Sequence, residues 1–262
     1  GQSCCADHLE QQLFPVKTWG KTYVAAKSWP RGKEEDYWRV VAAYDGTSFS
    51  VNPAVVGVPA SVTLNRGDYY EFQTADDFVI VASQPVMVAQ TLPSSMEIAG
   101  PSDCTHTSQC AAGYTCDTYF GDGCVLSLGL CNVDSDCPGS HACVCYGGLF
   151  GCNCEPMGDP ALILSAPVEQ FRDSYVFLSP VNYRADYVNV VAPSTAVVHL
   201  DGVQLSAAGF KPIGATGYKV ARLMVSDGSH TLDASEPVGL VVYGYDDDVS
   251  YGYTAGLSLS DL

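Results

Sequence analysis

The sequence predicts an all-β fold in which two related β-sandwich units flank a disulfide-rich, loop-dominated insert. Short runs rich in Val, Tyr and Phe, separated by Gly, Pro, Asn and Asp, fill both ends of the chain. The stretch SQPVMVAQTL at Ser83 returns as SEPVGLVVYG at Ser235, and ten of the twelve cysteines lie between the two. The predicted segments are an N-terminal segment 1–12, a first unit 13–99, a cysteine-rich insert 100–158 and a second unit 159–262.

The apolar runs have the period of β-strands. In residues 195–201, Ala196, Val198 and Leu200 alternate with residues that would point to the opposite side, so one side of the run can face a core. Helical signals are confined to the short stretch DHLEQQL near the N-terminus. Many short strands separated by turn residues favour β-sandwiches.

A weak internal repeat relates the two ends of the chain. Trp19 and Phe171 open similar segments 152 positions apart, and Ser83 and Ser235 are separated by the same distance. Offsets vary between these anchors, as expected when loops change length and strands do not. The repeat predicts that both units have the same strand arrangement.

The composition allows a packed core and argues against two classes of partner. Of the 262 residues, 47% are hydrophobic and 16% are charged, which is typical of a folded chain. The net charge of -17 argues against binding to nucleic acid or to anionic membranes, because both require basic surfaces. No apolar run approaches the roughly 20 residues of a membrane-spanning helix, so we expect no membrane span.

The cysteines predict a covalently held insert and an extracellular or cell-surface location, because such density is rare in reducing compartments. About 50 residues with few apolar side chains cannot be stabilised by burial alone, whereas five disulfides at roughly 2–4 kcal/mol each would suffice. A zinc site from the pairs Cys143-Cys145 and Cys152-Cys154 is the alternative, although zinc sites usually have C-x2-C spacing. The cysteines predicted to form disulfides are Cys104, Cys110, Cys116, Cys124, Cys131, Cys137, Cys143, Cys145, Cys152 and Cys154, together with Cys4 and Cys5.

Several segments resemble the N-terminal domain family of IgG Fc-binding proteins. They are CCADHLEQQLFPVKTWGKTYVAAKS, YWRVVAAYDGTSFSVN, LNRGDYYEF and SQPVMVAQTL in the first half, and VVYGYDDDVSYGYTAGLSL at the end. The insert segment CNVDSDCPGSHACVC is similar to inserts in large surface proteins of the bacterial, myxobacterial type. The resemblance implies an extracellular, non-enzymatic all-β domain, often one module of a longer surface protein. It assigns no binding residues to this chain.

No pattern in the sequence indicates catalysis. None of the five histidines lies in an H-E-x-x-H motif or accompanies a G-x-S-x-G nucleophile elbow. We therefore expect no enzyme activity and no cofactor. A secreted hydrolase whose site is assembled only by folding is an alternative, because such sites are defined by geometry.

Two features near the C-terminus are candidate sites. Asp246, Asp247 and Asp248 form an acidic tip that could supply oxygen ligands to calcium, or could be a solvated hairpin turn. Around it lie four tyrosines that could bind a sugar or a protein, or could cover the edge of the core. They are Tyr243, Tyr245, Tyr251 and Tyr253.

These observations predict a non-catalytic extracellular protein that acts in adhesion or in binding a ligand or partner through its β-sandwich surfaces. The partner would be a protein or a glycan at the cell surface, or further copies of the same chain. The alternative is a structural subunit of an extracellular filament or surface layer, since edge strands can join copies.

Overall fold

A computed structural model of the chain confirms the all-β prediction. It describes residues 9–98, 106–110, 114–117, 123–126, 141–145, 152–246 and 248–259. These residues contain strands and short 3-10 helices, and no helix among them is long and apolar enough to cross a bilayer. The 3-10 helices span Val16–Thr18, Ser95–Glu97, Thr107–Gln109, Val168–Gln170 and Ala207–Gly209.

The strands fall into two large sheets and two small hairpins. The first sheet contains β1 (Gly20–Ala25), β2 (Asp36–Ala42), β3 (Thr47–Asn52), β4 (Val62–Leu64), β5 (Tyr69–Thr74), β6 (Phe78–Leu92) and β11 (Ala161–Leu164). Between β6 and β11, the small hairpins contain β7 (Tyr114–Asp117), β8 (Gly123–Leu126), β9 (His141–Cys145) and β10 (Cys152–Pro156). The strands of the second sheet are β12 (Arg172–Ser179), β13 (Ala185–Pro193), β14 (Val198–Leu200), β15 (Val203–Gln204), β16 (Lys211–Pro212), β17 (Tyr218–Val225), β18 (Gly228–Asp246) and β19 (Val249–Thr254).

Each large sheet is organised around one long strand with two sets of partners. The N-terminal part of β6 pairs with β1 and β3, and its C-terminal part pairs with β2 and β11. Strand β18 pairs in the same way with β12 and β14, and then with β13 and β19. Each sheet curls, so that side chains from both parts of the long strand fill one core.

The core of each unit lies inside its curled sheet. In the first unit Trp38, Phe78 and Ile80 are among the buried side chains, and the rings of Trp38 and Phe78 meet edge to face at 5.1 Å. In the second unit Val188 and Leu240 belong to the equivalent cluster. This arrangement is consistent with the predicted two β units, and each unit has its own core.

The internal repeat is reproduced by a buried tyrosine in each unit. The Tyr23 hydroxyl donates to the Val86 carbonyl oxygen at 2.6 Å, and the Tyr175 hydroxyl donates to the Val238 carbonyl oxygen at 2.6 Å. The two tyrosines are 152 positions apart, and so are the two valines. Burial raises the pKa of both hydroxyl groups, so each tyrosine stays neutral and keeps its hydrogen bond. The two units are therefore related in strand order and also in register.

The cysteine-rich insert occupies the connection between β6 and β11. In the second unit the equivalent connection, between β18 and β19, is the short acidic turn that begins after Asp246. The insert is thus an enlarged version of that hairpin turn. Residues 161–164 follow the predicted boundary at 158, yet as β11 they pair with β6 and complete the first sheet.

The described part of the insert contains two small hairpins, β7–β8 and β9–β10. Cys110 and Cys143 are each disulfide-bonded, and no cysteine among the described residues is free. Five predicted disulfide cysteines lie outside the described residues. They are Cys4, Cys5, Cys104, Cys131 and Cys137. The complete set of disulfides, and their connectivity, stays a prediction.

Candidate binding surface

The four predicted tyrosines do not form one surface. Tyr243 and Tyr245 project to one side of the β18–β19 hairpin, opposite Gly252 and Ser250, whereas Tyr251 and Tyr253 project to the other side. Tyr243 and Tyr245 are each 1% exposed, and desolvation raises the pKa of both. They belong to the core between the two units and cannot touch a ligand in this structure.

The other two tyrosines are half-buried, and their hydroxyl groups are used within the chain. The Tyr251 hydroxyl donates to Asp186 Oδ1 at 2.5 Å. The Tyr253 hydroxyl donates to the Leu178 carbonyl oxygen at 2.6 Å and accepts from the Leu178 amide at 3.2 Å. Tyr253 therefore binds the free edge of β12, and a ligand-binding role for this pair stays a prediction.

The acidic tip is described in part. Asp246 Oδ1 lies 3.3 Å from Arg184 Nε, and Asp248 is exposed with a φ of 51°. Asp247 lies outside the described residues. Among the described residues, no three His, Cys, Asp or Glu side chains are grouped closely enough to hold a metal ion. Calcium binding at the tip stays a prediction.

An exposed sheet surface of the first unit is the candidate binding surface, and we call it the open face. It lies on the outer side of the neighbouring strands β5, β2, β6 and β11, where cross-strand pairing aligns its side chains. A cleft of about 230 Å³ crosses it. Leu9 of the N-terminal segment also lines this cleft, and Ala89 is buried in a cluster with Trp19. The open face consists of Tyr37, Arg39, Val41, Tyr69, Glu71, Ala89, Thr91 and Leu162.

The polar centre of the open face is an ion pair between neighbouring strands. Arg39 Nη2 lies 2.6 Å from Glu71 Oε1, and both side chains are about half exposed. The Arg39 guanidinium also lies over the Tyr69 ring, 5.0 Å from its centroid. Next to this pair, the Tyr37 hydroxyl donates to Glu97 at 3.0 Å. An aromatic surface with a charged pair and directional hydrogen-bonding groups is typical of protein-binding surfaces.

The second unit has the same sheet surface, but the first unit covers it, and we call it the covered face. Its residues take the positions of the open face along the sheet, so that Tyr187 corresponds to Tyr37 and Asn189 to Arg39. The covered face consists of Tyr187, Asn189, Val191, Val220, Arg222, Val241 and Tyr243. Most of these side chains are buried, so this face is an internal interface.

Apolar side chains from the outer side of β1 and β6 cover that face. Val24, Ala26 and Val79 of the first unit share one buried cluster with Val191 and Val220. In the segment that follows β1, the Trp29 ring stacks on the Tyr187 ring at 4.8 Å. The contact between the units is thus apolar over β1 and aromatic beside it.

Hydrogen bonds fix the position of the first unit on the covered face. Asn189 Nδ2 and Arg222 Nε donate to the Lys27 carbonyl oxygen at 2.9 and 2.8 Å. The Trp29 amide donates to the Tyr243 hydroxyl, which donates in turn to Asn189 Oδ1, both at 2.8 Å. Arg222 also forms an ion pair with Asp77 of the first unit. Polar groups at this interface therefore have partners from the opposite unit.

A buried ionic network shapes the segment that makes these contacts. Lys27 Nζ lies 2.8 Å from Asp36 Oδ1 and 3.2 Å from Glu34 Oε1. Asp36 also accepts hydrogen bonds from the Ser28 amide at 2.7 Å and from Gln90 Nε2 at 2.5 Å. Because each charge has an opposite partner, the network can stay buried, and it holds the backbone between β1 and β2 in place.

A second electrostatic feature lies near the start of β18 in the second unit. His230 Nδ1 lies 2.7 Å from Asp201 Oδ2, and Nε2 lies 2.7 Å from the Ser226 carbonyl oxygen. Only a doubly protonated ring donates both hydrogen bonds. Although burial opposes the charge, the bonds to Asp201 and Ser226 outweigh it and raise the pKa of His230. His230 in turn lowers the pKa of Asp201.

This pair predicts a pH-dependent contribution to stability. Because the pKa of His230 is raised above 6.5 on folding, the stabilisation is complete below about pH 6.5 and is lost as pH rises through the raised value. The free energy of unfolding of the wild type should therefore exceed that of His230→Gln most at mildly acidic pH. Urea titrations of both proteins from mildly acidic to alkaline pH measure this difference. A difference that grows with rising pH would contradict the assignment.

Sequence reasoning missed the open face, although the signal was present. The strands YWRV and YYEF each alternate apolar residues with Tyr and a charged residue, which places Arg39 and Glu71 on the outward side. Which of two equivalent faces stays open depends on how the units pack together, and this packing has no local pattern in the sequence.

Comparisons with known proteins agree with the earlier resemblance. The family model of the IgGFc binding protein matches residues 1–120 and 131–244. No curated protein matches the chain. An anti-sigma factor domain-containing protein is 10% identical over 90% of this chain and 80% of its own, and one from Clostridium clariflavum is 12% identical over 90% and 82%. Both have a TM-score of 0.19, which is too low to support any argument. Because the family model covers most of the chain, this protein belongs to the IgGFc-binding protein family, a family of binding proteins.

Proposed function

We propose that this chain is a non-catalytic extracellular or cell-surface protein that binds a protein partner through the open face, in an adhesive role. The observation that carries the proposal is the pair of equivalent sheet faces, of which one is largely buried by the first unit and the other is exposed at Tyr37, Arg39, Tyr69 and Glu71. Members of the family are generally extracellular or on the cell surface. The exposed face combines aromatic rings with the Arg39–Glu71 pair.

The surroundings of His230 argue against its use as a general base. This histidine has the aspartate partner that a catalytic triad requires, but its second nitrogen contacts the Ser226 backbone carbonyl rather than a nucleophile. A general base needs a free nitrogen within hydrogen-bond reach of a hydroxyl or thiol. His230 lacks one, so we propose a structural role for it.

The binding role can be tested with Tyr37→Ala and a matched control. We expect the labelled wild-type chain to bind saturably to the washed cell surface of its source organism. Tyr37→Ala should weaken this binding, because the ring lines the cleft and its loss removes contact area. Tyr44→Ala, which removes an exposed tyrosine from the turn after β2, should bind like the wild type.

Two treatments of the cell surface identify the class of partner. If the partner is a protein, protease treatment of the cells abolishes binding and periodate treatment does not. Binding that is lost with periodate alone would show that the partner is a glycan and would overturn the proposal. Equal binding by Tyr37→Ala and wild type would also overturn it.

A further inference from the structure

The second unit exposes an apolar patch on strand β12 and in the turn that follows it. Val176 and Leu178 of β12 are 76% and 55% exposed, and Val181 in the following turn is 64% exposed. Among the described strands, β12 pairs with β18 alone. We call Val176, Leu178 and Val181 the β12 patch. Exposed apolar side chains that cluster on an edge strand mark interaction sites more often than scattered ones do.

The β12 patch is the repeat equivalent of the surface that covers the second unit. Val24 pairs with Val79 in the first unit, and Val176 pairs with Thr231 in the second. Both residues of the second pair lie 152 positions after those of the first. Two residues further along the chain, Leu178 corresponds to Ala26 by the same shift, and Val181 corresponds to Trp29. Val24 and Ala26 are buried against the covered face, whereas their equivalents are exposed.

Each chain therefore has two unused halves of an interface that it already forms once. The open face corresponds to the covered face, and the β12 patch corresponds to the apolar surface of β1. The polar groups also have counterparts. Arg39 takes the position of Asn189, whose amide donates to the Lys27 carbonyl oxygen, and a guanidinium offers the same kind of donor.

We propose that the β12 patch of one chain packs on the open face of a second copy and repeats the contact between the two units. The inference rests on the proposed function, because it names the partner of the open face. The internal interface indicates this occupant. Within one chain, the covered face of the second unit is covered by the β1 surface of the first unit, which is the repeat equivalent of the β12 patch. A contact between two different surfaces is heterologous, so copies add head to tail and form a ring or an open filament.

Salt dependence distinguishes this contact from one driven by opposite charges. Each copy carries a net charge of -17, so copies repel one another at low ionic strength. The proposed contact is apolar and gains little from long-range attraction. Added salt screens the repulsion, so association should strengthen as the salt concentration rises.

Sedimentation velocity over a range of concentrations tests the proposal with two interface variants. The double variant Val176→Asp/Leu178→Asp blocks the patch, and Tyr69→Asp blocks the open face. The wild type should form species larger than a dimer as concentration rises, while each variant alone stays monomeric. Val203→Asp, at an exposed valine of β15 three strands away from β12, should associate like the wild type. Circular dichroism and thermal melting check that every variant is folded.

Mixing the two blocked variants gives the sharpest result. The patch variant keeps an intact open face, and the face variant keeps an intact patch, so an equimolar mixture should form a dimer and nothing larger. A symmetric contact between identical surfaces would not be rescued by mixing. A wild type that stays monomeric at all concentrations and salt conditions overturns the inference, as does a mixture that stays monomeric.

The association between copies and the binding to the cell surface can fail separately. If the wild type stays monomeric but its binding to the cell surface depends on Tyr37, the open face binds another protein and only the inference fails. If association occurs as described but no saturable binding to cells is found, the adhesive role fails and the contact between copies stands.

Discussion

Replacing Lys27 with methionine is expected to lower the free energy of unfolding by about 3–5 kcal/mol, the range for breaking a buried ion pair by removing one partner. The Lys27 side chain is 3% exposed, and its ammonium group lies beside the buried carboxylates of Asp36 and Glu34. Arg31 Nε lies 4.0 Å from Glu34 Oε1, so Asp36 loses more than Glu34 when Lys27 is removed. Methionine has a similar length and fills the same space, so the loss comes from the uncompensated charges rather than from a cavity.

Urea denaturation of Lys27→Met and of a matched control measures this effect. Lys21→Met removes an exposed ammonium group and should change stability by no more than about 0.5 kcal/mol. Because the Lys27 backbone carbonyl accepts hydrogen bonds from Asn189 and Arg222, we expect both units to be destabilised together. A Lys27→Met protein as stable as the wild type would show that the network is solvated or absent.

The sequence predicted the strands and the repeat because both depend on local or periodic patterns. The register shared by Tyr23 and Tyr175 follows from the 152-residue offset between them. The fate of Tyr243 and Tyr245 could not be predicted in the same way. Alternation shows that they share a face of β18, but it does not show which face is exposed. Packing between the units decides that question.

The position of the insert also depended on long-range pairing. Strand β11 follows the cysteines in the chain yet pairs with β6, which precedes them. Only this pairing shows that the insert is an enlarged hairpin turn equivalent to the acidic tip after Asp246. Strand pairing across such a distance leaves no signal in composition or spacing, so the sequence placed β11 with the second unit.

The relation between the two units is the basis of the functional proposals. Each unit has the same sheet face. Within one chain, the first unit covers this face of the second unit, and its own equivalent is the open face. Differences in sequence fit this asymmetry. On the covered face, the polar groups of Asn189 and Arg222 bond to the first unit, whereas the open face carries the Arg39–Glu71 pair in contact with solvent. A surface that remains soluble and still keeps aromatic rings is suited to a reversible contact.

Hydroxyl-radical footprinting of tyrosines tests this central claim most directly, because the oxidation rate of a side chain reports its exposure to solvent. The intact chain would carry Val176→Asp/Leu178→Asp, so that copies do not cover one another. Mass spectrometry then compares Tyr37 and Tyr69 on the open face with Tyr187 and Tyr243 on the covered face. We predict oxidation several-fold faster on the open face. Equal rates on the two faces, or faster oxidation of Tyr187 and Tyr243, would contradict the account.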